Sequence, residues 1–305
     1  MQADRHDAEE GQIVSSTETP LRSLLFDPGD SERKQTKALT SGADALILDL
    51  EDSVAEAQLP AARAQVLQFL QANPSGGTGP QRWVRLNGPG SGKLREDLRA
   101  VIGGRPDGLV LPKVSSAREV AEVSGLLKDP GIRIIAIATE TPQALLTLAY
   151  YGTGAAGPRL AGLTWGMEDL SAALGATEKT NPDGTLTPVF ELARSLCLIT
   201  AAAAGVQAID GVHADFRDTA GLTREAGRAR RDGFTAKLAI HPDQVPVINA
   251  AFSPTQTEVE HAKRVVAAFA GEGNAGVTSL DGKMLDRPHL VLAQRVLELS
   301  RRTGG

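Results

Sequence analysis

LTWGMEDL (residues 163–170), read together with IRIIAIATET (132–141), decides the fold. Each is an apolar run that stops abruptly at a carboxylate, Asp169 in one and Glu140 in the other. A buried parallel strand reads this way when its C-terminal end opens onto a polar site. Alone, either acid is most simply a first-turn helix residue or a solvated rim charge. Side by side, their oxygens suit a hard divalent cation, so the rest of the chain has to supply a frame that brings two strand ends together.

Outward from these two runs the same pattern repeats. Short apolar segments at 21–26, 45–50, 82–86, 108–111, 132–138, 160–164, 206–210 and 236–240 are each followed by a helical pattern. Alternation of this kind requires parallel strands joined by right-handed crossovers, and eight of them close into an α/β (β/α)8 TIM barrel. A doubly wound open sheet is the competing fold. It lacks support here, because no glycine fingerprint follows the first strand and the polar candidates do not gather at one switch point. A turn-rich insertion, EKTNPDGTLTP (178–188), interrupts the pattern before the helix at 189–204.

After the last barrel helix, at 244–251, the chain runs through a helix at 255–270, a glycine-rich loop, VTSLDGKML (277–285) and a final helix at 288–301. The expected organisation is a disordered leader over 1–20, a barrel over 21–253 and a C-terminal helical lid segment over 254–305, the last too short for an independent core. With 305 residues, 41% hydrophobic and 23% charged, the chain can bury one large domain. A net charge of -5 argues against a nucleic-acid partner. Arg228, Arg230 and Arg231 alternate with acids and read as a solvated face. The single cysteine, Cys197, has no disulfide partner within the chain and lies in an apolar helix, which points to a reducing cytoplasm. The first twenty residues have no apolar core of the kind a secretory signal needs, and no stretch has the length of a membrane span.

In such barrels the functional residues lie at the C-terminal strand ends. The residues that fall there are Asp49, Glu51 and Asp52 after the second strand, Arg85 and Asn87 after the third, Lys113 after the fourth, Glu140 after the fifth and Asp169 after the sixth. Two carboxylates with no histidine or cysteine beside them favour Mg2+ or Mn2+ over zinc and leave positions for substrate oxygens. Such an ion acts as a Lewis acid on a carbonyl. Arg85 carries a planar, permanently charged fork suited to a carboxylate or an enolate oxygen. Blander readings stand beside these. Asp49 and Glu51 alternate with Leu48 and Leu50, so structure and function weigh equally there. Lys113 reads equally well as the first exposed residue of a loop, a lone His241 as a hydrogen-bonded side chain, and Trp165 and Met167 as packing.

Seven segments in register carry a resemblance: LLFDPGD (24–30), GADALILDLEDSV (42–54), VRLN (84–87), LPK (111–113), ATET (138–141), WGMEDL (165–170) and AIHPDQ (239–244). Together they resemble the citrate lyase β-subunit-like proteins of the HpcH/HpaI aldolase superfamily, relatives of malyl-CoA and citramalyl-CoA lyases. The resemblance implies Mg2+-dependent cleavage or formation of a 3-hydroxyacyl-CoA thioester, giving an acyl-CoA and a 2-oxo acid. It implies Glu140 and Asp169 as metal ligands, with Glu51 and Asp52 behind them, and Arg85 as the group that meets substrate and developing oxyanion charge. Backbone amides at Gly166, Met167 and Glu168 would hold the 2-oxo acid carboxylate. Phe26 and Lys37 match positions that contact coenzyme A, with Arg33 near its phosphates; Ser31 departs from the arginine that often stands there. GKMLDRP (282–288) resembles a lid motif whose aspartate, here Asp286, serves as acid/base in the site of an adjacent subunit, which implies a homotrimer or hexamer. Asp286 also reads as an N-cap, since Pro288 favours a first helical turn. Two other functions remain compatible with the residues: the β-subunit of a citrate lyase complex acting on a citryl thioester, and a non-catalytic barrel that binds a CoA thioester or a protein.

Overall fold

The computed structural model of the chain describes residues 21–77, 79–271 and 276–303. The expected leader at 1–20 lies outside them, as does most of the glycine-rich loop before the C-terminal hairpin. Eight parallel strands close on themselves in chain order: β1 (Ser23–Pro28), β2 (Ala45–Asp49), β3 (Gln81–Arg85), β4 (Gly108–Leu111), β5 (Arg133–Ile137), β6 (Leu160–Thr164), β7 (Gln207–Asp210) and β8 (Ala236–Ala239). The cylinder is sealed where Leu24 of β1 pairs with Leu238 of β8.

Helices cover the outside: α1 (Glu32–Ala38), α2 (Leu59–Ala72), α3 (Leu94–Val101), α4 (Ala117–Leu126), α5 (Pro142–Thr147), α6 (Glu168–Leu174), α7 (Pro188–Ala203), α8 (Thr219–Asp232) and α9 (Val245–Phe252). Their starts are written in the sequence, with the Ser116 hydroxyl accepting from Glu119 N–H, Thr141 from Ala144 and Asp218 from Gly221. Alternation along each strand divides the apolar residues into two cores. Leu24, Ile47, Val110, Ile135, Ile137 and Leu238 fill the cylinder. Leu25, Leu46, Leu48, Leu109 and Leu163 pack against the helices.

The tail holds α10 (Gln256–Gly271), an antiparallel hairpin of β9 (Val277–Leu280) and β10 (Lys283–Asp286), and α11 (Arg287–Thr303). Contrary to the expectation that it is too short for a core of its own, it gathers a small one, Ala262, Val265, Phe269, Leu285 and Ala293, because α11 lays its apolar stripe on α10. Arg230 of α8 ties it to the barrel through Glu258 at 2.9 Å. Among the described residues no helix is long and apolar enough to cross a membrane.

Candidate active site

The ends of β5 and β6 meet as neighbours. Ile137 pairs with Thr164, and past the strand ends Ala138 N–H donates to the Thr164 carbonyl at 2.9 Å and Gly166 N–H to the Thr139 hydroxyl at 3.1 Å. The chain then turns into α6, carrying Asp169, while Glu140 closes the β5 loop. Gly166 is what lets them approach: a Cβ there would lie 2.9 Å from Glu140 Cγ. Both acids line one cavity of about 120 Å³ with Arg85, Asp52 and Glu168, against an apolar wall that includes Ile137, Trp165, Met167, Val212 and Leu238.

Glu140 is 5% exposed and takes Lys113 N–H at 2.5 Å. Burial, with the negative charges of Asp169 and Glu51 adding to it, pushes its carboxyl up to about 8 despite that bond and the Lys113 charge. A buried carboxylate held beside a second one is a place that a divalent ion would stabilise. Two carboxylates are also the donor set of an ion that keeps several waters. Among the described residues no group of three or more His, Cys, Asp or Glu gathers as a metal cluster. Glu140 and Asp169 are hard oxygen donors with no His or Cys among the described lining residues, a set that fits Mg2+ or Mn2+ better than zinc.

Arg85 sits across the cavity with its fork already engaged. Its Nε and one terminal nitrogen each donate to Asp49 at 2.7 Å, its other terminal nitrogen lies 3.0 Å from Glu51, and the guanidinium stacks 4.7 Å from the centre of the Phe26 ring. Burial opposes its charge, but the Asp49 hydrogen bonds and the Asp49, Glu51 and Asp52 charges outweigh that and hold it above its ordinary value. The same Arg85 bonds and charge hold Asp49 below the usual carboxylate range against its burial. Asp49 follows Ile47 on the inner face and faces the barrel interior, where Arg85 meets it, and Glu51, two residues on, reaches the same guanidinium. Asn87 is bound elsewhere, to the Leu50 carbonyl and Asp97 at 2.8 Å each.

Of the remaining expected site residues, Phe26, Gly166, Met167 and Glu168 line the cavity. The Gly166 N–H is engaged by Thr139, which leaves Met167 and Glu168 to offer amides at the start of α6. Arg33 and Lys37 stand one turn apart on the exposed face of α1, outside the cavity lining. Asp286 ends β10, pairs with His289 at 2.5 Å and lines neither of the chain's described cavities. His241 is satisfied as a cap, its Nδ1 accepting from Asp243 N–H at 3.2 Å while its ring stacks on Phe216.

For two residues that the sequence places at strand ends, the structure adds partners that the sequence does not show. Lys113 adopts a left-handed backbone, φ 54°, and its ammonium reaches Glu51, Asp52 at 3.1 Å and Asp169 at 3.4 Å. Trp165 is more than packing, since its indole N–H donates to the buried Asp210 at 2.8 Å, and Asp210 is held in turn by Lys237 at 2.7 Å and Arg194 at 3.2 Å. Lys113 at least follows a proline at a strand exit, where a turn is expected; nothing local in AKLA foretells that Lys237 is buried and paired with β7.

The sequence profile of HpcH/HpaI aldolase/citrate lyase matches residues 22–242. The chain is similar to a (3S)-malyl-CoA thioesterase of Cereibacter sphaeroides, 38% identical over 280 residues that cover 91% of this chain and 94% of that protein. It is similar to the mitochondrial citramalyl-CoA lyase of Rattus norvegicus, 33% identical over 92% of this chain and 86% of that one. Its fold is similar to the crystal structure of protein CitE from Mycobacterium tuberculosis in complex with magnesium, acetoacetate and coenzyme A, with a TM-score of 0.75, 35% identity, and coverage of 93% and 98%. Coming on top of a closed eight-stranded cylinder with its acids on one rim, these likenesses make the chain a member of the HpcH/HpaI aldolase/citrate lyase family.

Proposed function

We propose that the protein cleaves a 3-hydroxyacyl-CoA thioester of the malyl-CoA or citramalyl-CoA kind to an acyl-CoA and a 2-oxo acid, or runs the reverse condensation, with a divalent ion held by Glu140 and Asp169. The observation that carries the reading is the buried Glu140 carboxylate set beside Asp169 in a small cavity faced by Arg85. When bound, Mg2+ supplies Lewis-acid polarisation of the substrate's 2-oxygen.

The chain's own residues do the rest. Asp286 takes the hydroxyl proton, the freed oxygen pair forms the C=O of the 2-oxo acid as the carbon–carbon pair passes to the thioester as its enolate, and Asp286 returns the proton to the enolate carbon to release the acyl-CoA. Arg85, locked by Asp49 and Phe26, presents a fixed positive charge to the enolate oxygen. Glu51 and Asp52 hold Arg85 and Lys113 behind the metal ligands, and the α6 amides of Met167 and Glu168 meet the 2-oxo acid carboxylate. Phe26, Arg33 and Lys37 receive coenzyme A. Asp286 lines neither of the two described cavities of its own chain, and in this reading it serves a neighbouring copy, the active form being a homotrimer or hexamer. The single, buried Cys197 suits a cytoplasmic enzyme.

The cavity lining favours a 2-oxo acid without a second charge. Beyond the acids its walls are apolar, and among its described residues Arg85, already paired with Asp49, is the one cation. The distal carboxylate released from a citryl thioester would meet, among the lining side chains, only this guanidinium that Asp49 already holds. A second reading is thioester hydrolysis, supported by the similarity to a malyl-CoA thioesterase. Incubation with malyl-CoA, citramalyl-CoA, methylmalyl-CoA and citryl-CoA in Mg2+ separates them. A 2-oxo acid with an intact acyl-CoA supports the lyase, free CoA thiol with no 2-oxo acid supports hydrolysis, and inertness toward all four leaves a binding barrel.

A further inference from the structure

Lys113 touches both acids on which the proposed metal site rests, through two different parts of itself. Its main-chain N–H donates to Glu140, and its ammonium lies 3.4 Å from Asp169 while also pairing with Glu51 and Asp52. The residue is held in the left-handed region, which glycine occupies without strain, and it is wedged there: a Cβ on Gly88 would lie 3.0 Å from the Pro112 carbonyl and 3.2 Å from Lys113 Cβ. Glycine would meet that backbone without strain but would bring no side chain to the rim, where the lysine's ammonium sits among the acids. Its surroundings explain the use. Asp49, Glu51, Asp52, Glu140 and Asp169 crowd one rim, and Arg85 is committed to Asp49. A divalent ion on Glu140 and Asp169 would meet the ammonium as a like charge a few ångströms away.

We propose that Lys113 is a tethered cation that neutralises this carboxylate cluster while no divalent ion is bound and is driven out of it when one binds, so that it sets the site's affinity for the ion. The inference rests on the reading of Glu140 and Asp169 as metal ligands. The lysine side chain is about a third exposed, 34%, and has open space beside it: a cavity of about 500 Å³ lined by Lys113, Lys93, Glu51, Asp52 and Asn87 adjoins the smaller one at Asp52. The displaced ammonium therefore has a solvated place to go, toward Glu56, which already holds Lys93 at 3.0 Å.

Calorimetric titration of Mg2+ into the wild type, Lys113→Met, Lys113→Arg and Glu140→Gln tests this. Lys113→Met is expected to bind Mg2+ about tenfold tighter or better, from loss of a like charge at close range, while its metal-free form melts lower than the wild type; Lys113→Arg keeps the charge and stays near the wild-type affinity. Unchanged or weaker binding in Lys113→Met overturns the proposal alone, whereas absence of binding in the wild type, or full binding in Glu140→Gln, overturns the metal site beneath it. Independently of any folding defect, the 13C-dimethyl-lysine resonance of Lys113 in the reductively methylated wild type should shift as Mg2+ is added. A Lys113 resonance that stays put through saturation overturns displacement.

Discussion

Arg85 closes both Nε and a terminal N–H on the two oxygens of Asp49, at 2.7 Å each, from the ends of adjacent strands. The bidentate pair is almost fully buried, 12% and 2% exposed, so it fixes where the guanidinium points and cannot swing aside to greet a ligand. Asp49→Ala leaves a buried cation with only Glu51 and Asp52 to share it, and breaking such a pair typically costs about 3–5 kcal/mol. Arg85→Lys keeps the charge and loses the fork. Asp49→Ala is expected to lower the thermal midpoint sharply, and Arg85→Lys to keep most stability while losing at least about 100-fold in kcat, the scale of one misplaced oxyanion donor. Thermal melts and steady-state kinetics on the two variants separate the roles.

Glu140 gives a prediction in which stability and function move in opposite directions. Burial and the neighbouring Asp169 and Glu51 make its charged form costly in the metal-free protein. Glu140→Gln keeps the shape and the capacity to accept from Lys113 N–H, so the metal-free variant should melt at or above the wild type. Adding Mg2+ should raise the melting point of the wild type and leave that of the variant unmoved, and lyase activity should be lost. Full activity of Glu140→Gln in the presence of a chelator would falsify the metal-dependent mechanism.

The barrel is legible because buried parallel strands are continuous apolar runs, which end where the polar rim begins; β4 and β6 fall on the residues their runs mark. The segment after β5 is harder to see, since α5 has six residues and passes directly into a 3-10 turn at Leu148–Thr153, too short for a helical period to register. The carboxylates of the site are visible for the same reason as the strands: they terminate them. What holds the carboxylates in place is not visible. The pairing of Lys237 with Asp210 behind Trp165, and the left-handed turn that aims Lys113, depend on which strands lie side by side and on backbone conformation that a lysine does not advertise. VTSLDGKML, to which the sequence pattern assigns no element, folds as a hairpin about Asp281 and Gly282, both at positive φ, as an Asp-Gly pair favours.

Asp286 ends that hairpin, bonded to His289 and half-buried, and lines neither of the two described cavities of its own chain. If it acts in the site of a neighbouring copy, Asp286→Ala should bind acyl-CoA with near wild-type affinity and lose lyase activity by about 100-fold or more, the contribution of a general acid/base. Mixing it with Glu140→Gln under conditions that exchange subunits should then restore part of the activity, because some sites receive an intact lid beside an intact metal ligand. An Asp286→Ala enzyme that stays fully active, or a mixture no better than its parts, would remove Asp286 from the reaction or return it to its own barrel.

Asp27 adds a pH dependence of its own, away from the site. It is 3% exposed on the outer face of β1, and neither carboxylate oxygen has a hydrogen-bond partner. Burial pushes its carboxyl up to about 7, with Lys34 pulling the other way. The folded protein therefore holds this proton more tightly than the unfolded chain, whose ordinary value is 3.8, and stability contributed by the protonated form is complete below about pH 4, drains away as pH rises toward 7, and is gone above it. Asp27→Val removes both the proton and the penalty. The variant should gain on the wild type by at most about 2 kcal/mol at pH 8, since water near the rim screens part of the charge, and the gain should shrink as the pH is lowered to 5. Urea melts of both proteins across that interval check the sign: parallel stability curves would mean that Asp27 finds a partner the fold does not display, and a gain that widened toward acid would mean that its proton is bound more weakly in the native state.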